Sequence, residues 1–197
     1  MTKQELMDSL IEKNNGYLTT SDVVANGISK TYLLEYARKN NLARVAQGVY
    51  MSEDAWQDDL YIICLRNKET VFSHETALYL HGLMEHEPLC ISLTVAQRYN
   101  ATHLRKQGCK VYTVSSDRIG LGQTIAETGF GNKVRVYDMD RTLCDIIKNK
   151  KKMDIQVFQT AVREYMKSNR KNLPNLINYA RILNIEDTVR TYTEVML

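Results

Sequence analysis

The sequence predicts an α+β chain: an N-terminal winged helix-turn-helix, then a mixed α/β domain with a helical C-terminal tail. Three observations predict it. Two short helix-forming stretches meet around Gly27, and the second runs straight into a strand–turn–strand pattern over Leu42–Met51. Strand-like and helix-like segments then alternate from about residue 57 to 149. The last ~45 residues carry helical periodicity alone.

The elements follow in order. Thr2 and Glu5 have capping-box spacing, and Leu6, Met7, Leu10 and Ile11 make one apolar stripe, so the first helix starts at Thr2 and stops at Gly16. A second, short helix covers about 21–26, capped by Thr20 or Ser21, and Gly27 supplies the tight turn. Ser29 caps a third helix reaching about Asn40. The segment 42–51 turns near Gln47-Gly48 and reads as a wing. An acidic, polar stretch at 52–59 marks the boundary, dividing the chain into residues 1–55 and 56–197. Beyond it, helices are expected at 57–67 and from Ser73 to His81-Gly82, with strands at 89–95, 110–114, 123–127 and 133–137. The run Gly129-Phe130-Gly131-Asn132 turns the last two strands into a hairpin. Asp140 caps a helix to about Asn149, and helices at 154–168, 173–183 and 186–196 complete the tail.

Of the 197 residues 44% are hydrophobic and 25% charged, values of a globular chain with a real core. No apolar run approaches the ~18 residues of a membrane span. The segment Met1–Glu5 carries no apolar signal region. A cytoplasmic protein without a membrane partner is the expectation. The cysteines at 64, 90, 109 and 144 form no CxxC pair, which argues against a zinc knuckle and fits reduced thiols.

The net charge of +3 is modest, but its distribution is informative. Between Ile28 and Tyr50 stand Lys30, Arg38, Lys39 and Arg44 against one anion, Glu35. On a helical wheel Leu33, Leu34 and Ala37 cluster on one side of the third helix, and Thr31, Tyr32, Glu35 and Lys39 on the other, with Arg38 at the flank. The apolar side packs on the first two helices and leaves the outer side for a major groove of double-stranded DNA. Thr31 and Tyr32, near the helix start, are placed to read base edges. Lys30, Arg38 and Lys39 suit phosphate, and Glu35 would repel it unless it accepts from a cytosine amine. Arg44 and Gln47 on the wing reach the minor groove or a flanking phosphate. The bland alternative is a solvated helix face on a protein-interaction module.

The second domain offers little chemistry. His74-Glu75 lacks a second histidine four residues on, so the zinc-protease motif fails. Asp138-x-Asp140 has the spacing of a magnesium-binding carboxylate pair, but no glycine precedes a serine to grip phosphates. There is no P-loop and no complete dinucleotide fingerprint. No enzyme, no cofactor and no metal site is expected. Arg141 and Asp145 are an i,i+4 pair of opposite sign, which reads as a local salt bridge. The basic cluster Lys148, Lys150, Lys151 and Lys152 reads as a solvated loop between helices or as a second nucleic-acid contact.

Gly48-Val49-Tyr50 closing the wing, Ser73-His74-Glu75-Thr76-Ala77-Leu78-Tyr79-Leu80-His81-Gly82-Leu83, Ile91-Ser92-Leu93-Thr94, and Asp138-Met139-Asp140-Arg141-Thr142-Leu143-Cys144-Asp145 occur in an order that resembles the AbiEi antitoxins of bacterial abortive-infection systems. The resemblance runs to about residue 149. It implies a type IV antitoxin whose winged helix represses its own operon at inverted repeats in the promoter. It also implies a second domain that antagonises a cognate nucleotidyltransferase toxin without a stable complex. Glu75 and Cys144 stand where the family often has other residues. His74, His81, Arg141, Thr142 and Asp145 match the motif, either as scaffold or as antitoxin site. A plain regulator whose second domain senses a ligand or oligomerises is the alternative.

Overall fold

The computed structural model describes residues 2–194. Positions 195 and 196 of the expected last helix lie outside the described residues. The chain divides into two compact units, Met1–Lys68 with Thr128–Asn132, and Glu69–Glu127 with Lys133–Leu197.

The first unit contains α1 (Lys3–Lys13), β1 (Tyr17–Thr19), α2 (Thr20–Ala25), α3 (Lys30–Lys39), β2 (Ala43–Ala46), β3 (Val49–Met51) and α4 (Asp59–Arg66). The capping box at Thr2 and Glu5 forms as its spacing predicts. Ser29 accepts from the Tyr32 amide at the start of α3. The cap of α2 is Thr19, one residue ahead of the expected Thr20 or Ser21; its hydroxyl accepts from Asp22 N. The shift arises because Tyr17–Thr19 is a strand, so the chain leaves β1 already extended at Thr19. That strand pairs antiparallel with β3, which pairs with β2, giving the order β1-β3-β2. Three residues are too few for alternation to reveal a strand. Gly16 sits at φ +87°, and a Cβ there would meet Ala55 Cβ at 2.5 Å.

The core of this unit joins Met7 of α1, Leu18 of β1, Val23 of α2, Leu33, Tyr36 and Ala37 of α3, and Tyr50 of β3. Leu34, expected inside, is 55% exposed. The buried side of α3 runs through 33, 36 and 37, the i, i+3, i+4 stripe, and leaves 34 turned outward. Tyr36 takes its place because its hydroxyl donates to Asp8, so an aromatic with a polar tip is accommodated. The α4 helix begins at Asp59 because Asp58 caps it, accepting from Tyr61 N at 3.0 Å. The other Asp58 oxygen accepts from Thr128 Oγ1 at 2.5 Å and Asn132 Nδ2 at 2.8 Å.

The second unit contains β4 (Val71–Phe72), α5 (His74–Leu80), β5 (Ser92–Ala96), α6 (Thr102–Lys106), β6 (Lys110–Val114), β7 (Gln123–Glu127), β8 (Lys133–Tyr137), α7 (Met139–Lys148), a 3-10 turn at Lys150–Lys152, α8 (Ile155–Lys167), α9 (Leu173–Ile182) and α10 (Glu186–Glu194). Five strands form one mixed sheet, β6-β5-β4-β8-β7. The strand expected at 89–95 starts only at Ser92, since Leu89 is fully exposed. Neither β4 nor α6 is foreseen; the first is two residues long and the second five. The expected helix cap Asp140 is corrected to Asp138, whose Oδ1 accepts from Arg141 N at 2.7 Å. The amide of Asp138 also donates to Gly122 O, so the chain stays extended up to that residue. From Met139 to Ile147 every residue of α7 is buried, and Leu143, Ile146 and Ile147 pack with Phe158, Tyr165 and Leu176 of the tail helices. No helix among the described residues is long and apolar enough to cross a membrane.

Candidate nucleic-acid interface

The outer face of α3 exposes Lys30, Thr31, Leu34, Glu35, Arg38 and Lys39. Arg38 lies squarely on this face and not at its flank. Tyr32 is displaced the other way. It is half-buried against the core of the first unit, with Lys3 Nζ 5.8 Å from its ring centroid. Of the two residues expected to read bases, Thr31 is therefore the free one, and Tyr32 presents an edge. Among the described residues none of Lys30, Arg38, Lys39 and Arg44 forms an ion pair. Cations left without a carboxylate keep their full charge for a ligand.

The wing is β2 and β3 with Gln47-Gly48 at its turn. Gly48 has φ +73°, and its carbonyl accepts from the Thr20 amide at 2.8 Å. A Cβ on Gly48 would come within 3.3 Å of Thr20 Oγ1. The turn is thus held against the start of α2, not left to swing. A bulge between Arg44 and Ala46 re-aims the strand at the cation. The result is an open cleft of about 450 Å³, into which Lys30, Arg44 and Gln47 project together with Thr20, Ser21 and Arg66. No residue lining it is acidic. Arg66, Thr20 and Ser21 are additions to the residues expected from sequence. Arg66 joins the cleft through packing of α4, whose Ile62 lies with Tyr17 and Val49 in a small core cluster, and Thr20 and Ser21 join it from the start of α2 beside Gly48.

Residues 5–52 match the family model described as a transcriptional regulator, AbiEi antitoxin. The match runs from α1 through β3 of the first unit. Over 93% of its length the chain is similar in fold to a solved structure, the RV2827C protein from Mycobacterium tuberculosis, with a TM-score of 0.57, 11% identity and 75% of that chain covered. A comparison with curated proteins gives no significant match.

In the second unit the run 73–83 and the run 138–145 are brought together by α5 packing on α7. His81 Nε2 donates to Tyr137 O at 2.6 Å, and Thr142 Oγ1 donates to the same carbonyl at 3.2 Å. His74 is 1% exposed and its ring lies flat on Tyr112, centroids 3.4 Å apart. Asn149 Nδ2 donates to His74 Nε2 at 3.1 Å, so Nδ1 carries the proton and faces Ser73 Oγ at 3.0 Å. Burial holds the His74 imidazole well below its usual pKa, with Lys110 and Arg141 pushing the same way. Burial also lowers His81.

Arg141 is fully buried. Its Nε donates to Asp145 Oδ2 at 3.1 Å, its Nη1 to the carbonyls of Arg118 and Leu121, and its guanidinium sits 4.3 Å from the Tyr137 ring centroid. The expected local ion pair exists, but it lies inside the protein. Burial pushes Asp145 up to about 6, against the pull of Arg141. Of the second-unit candidates, His74, Arg141, Thr142 and Asp145 are interior ties. His81 alone of the motif candidates is partly open.

Asp138 and Asp140 spend their carboxylates on structure. Tyr179 donates to Asp138 Oδ2, Tyr165 and the Asn172 amide donate to Asp140 Oδ1, and Asn175 donates to its Oδ2. Among the described residues no group of three metal-binding side chains comes together. The basic cluster is not a loop throughout. Lys148 ends α7, while Lys150, Lys151 and Lys152 form the 3-10 turn. Lys150 Nζ donates to Tyr192 OH at 2.9 Å, and Lys148, Lys151 and Lys152 are exposed.

Proposed function

We propose that this protein is a promoter-specific repressor of its own operon and the antitoxin of a type IV toxin–antitoxin system. In this reading residues 1–55 bind inverted repeats in double-stranded promoter DNA, and residues 56–197 antagonise a nucleotidyltransferase toxin without a stable complex, protecting the cell until phage infection. The protein acts in the cytoplasm, without catalysis or cofactor. The observation that carries the reading is the set of unpaired cations on α3 and the wing around the exposed Thr31, within residues matched by the regulator family. Phosphate contacts from Arg38, Lys39 and Arg44 would fix register, and Thr31 would read bases. Glu35 on the same face penalises non-specific phosphate binding, which favours a selective binder over a general one.

A full-length Lys39→Ala/Arg44→Ala variant tests the split of roles. It should lose repression of a promoter reporter and still rescue growth from the neighbouring toxin gene. Loss of rescue by the folded variant would contradict the division. A genomic neighbourhood with no toxic gene would favour a plain regulator.

A further inference from the structure

We propose that Arg66, at the end of α4, completes a phosphate site with Lys30 and Arg44, so that the cleft beside the wing holds one backbone phosphate of the DNA. The proposal rests on the DNA-binding reading above and extends it beyond residues 5–52, the part matched by the regulator family.

Three cations from three separate elements, α3, β2 and α4, line one open cleft of about 450 Å³. Like charges gathered in this way repel one another, and among the described residues none of the three is neutralised by an ion pair. The rest of the polar lining, Thr19, Thr20, Ser21, Gln47 and Tyr50, is neutral, and Thr20 and Gln47 can donate hydrogen bonds into it. An anion with several acceptor oxygens answers both features. Lys30 adjoins Thr31 and Arg44 lies on the wing, so the anion expected there is a phosphodiester of bound duplex DNA.

The position of Arg66 is fixed within the first unit. Tyr17 OH accepts from the Asp58 amide at 2.9 Å and donates to Trp56 O at 2.8 Å, tying the start of α4 to β1. The Asp58 carboxylate caps the helix, and Ile62 packs beside Val49 of the wing. An arginine in the last turn of a helix also stabilises the helix dipole, and that is the competing, purely structural role.

The test uses full-length protein and a promoter duplex containing the inverted repeat, titrated over a salt series. Arg66→Gln should weaken binding about tenfold, as loss of one charge-assisted contact does. It should reduce the slope of log K against log salt by about 0.9. Arg66→Lys should keep most of the slope. An Arg66→Gln variant with the wild-type slope and affinity overturns the assignment while leaving DNA binding intact; a lowered melting temperature alone would mark the structural role. A wild-type protein without salt-dependent DNA binding overturns the underlying reading. In that case Arg66-dependent binding of inorganic phosphate or pyrophosphate would show a free-phosphate site and overturn the DNA assignment.

Discussion

Replacing Arg141 by methionine tests what its burial means. Methionine keeps much of the volume and drops the charge. It gives up the ion pair with Asp145, the bonds to the carbonyls of Arg118 and Leu121, and the stacking on Tyr137. Removing one partner of a buried pair costs about 3–5 kcal/mol, because the other charge is stranded. The cost depends on pH, since Asp145 can take up a proton. Its native value of about 6 lies above the unfolded 3.8, so this carboxyl favours the folded state most at low pH, and that advantage is lost as pH rises through 6. At pH 7.5 the wild-type carboxylate is ionised and paired. That pH is about 1.5 above its pKa, so ionisation stabilises the folded wild type by about 2 kcal/mol relative to its protonated form, whereas without Arg141 the buried carboxyl stays protonated. The variant forfeits this term. At pH 5 both proteins hold a largely protonated Asp145 and the gap narrows. Urea titration followed by hydrogen exchange of the α7 amides should show a deficit of about 3–5 kcal/mol at pH 7.5, and about 2 kcal/mol less at pH 5. A deficit under about 1 kcal/mol at both pH values, as for a surface pair, would refute the reasoning. So would a large deficit that ignores pH.

Gly16→Ala should destabilise the first unit by at least about 2 kcal/mol, since φ +87° and contacts of 2.5 and 2.7 Å act together. Gly27→Ala, at φ +75° but with open space around it, should cost only about 1 kcal/mol; thermal unfolding in the opposite order contradicts this. Ser29→Ala should cost about 1 kcal/mol and speed exchange of the Tyr32 amide. In DNA titrations Lys39→Ala should lower affinity for all sequences and flatten the salt slope, whereas Thr31→Ala should change site preference at nearly constant slope. Identical behaviour of the two variants would erase the distinction between positioning and reading.

The first unit is largely legible because its helix ends are written locally. Thr2 with Glu5, Ser29 and Gly27 each state a boundary in one or two residues. Facing is less legible. Leu34 is apolar yet exposed, and Tyr36 is polar-tipped yet buried, because Asp8, 28 residues away, supplies its hydroxyl with an acceptor. Asp138 and Asp140 can each cap a helix in sequence, and only the bond from Asp138 N to Gly122 O fixes which one does. The pair Arg141–Asp145 looks the same in sequence whether it lies on a surface or inside. Its burial follows from the segment 118–122 and Tyr137, which close over the side of α7 that carries Arg141. Arg66 is invisible to a wing pattern, since it reaches the cleft through α4 packing beside Tyr17 and Val49. A basic residue ending the helix after the wing is the one signal that points to it.

The central claim is that α3 and the wing bind promoter DNA through unpaired cations. The most direct measurement is the affinity of the full-length protein for its upstream inverted repeat, against a scrambled duplex, from low to physiological salt. The account predicts a preference for the repeat and an affinity that falls steeply with salt, with a slope that Lys39→Ala and Arg44→Ala each reduce by about 0.9. An affinity independent of salt, or equal for the two duplexes, would contradict it.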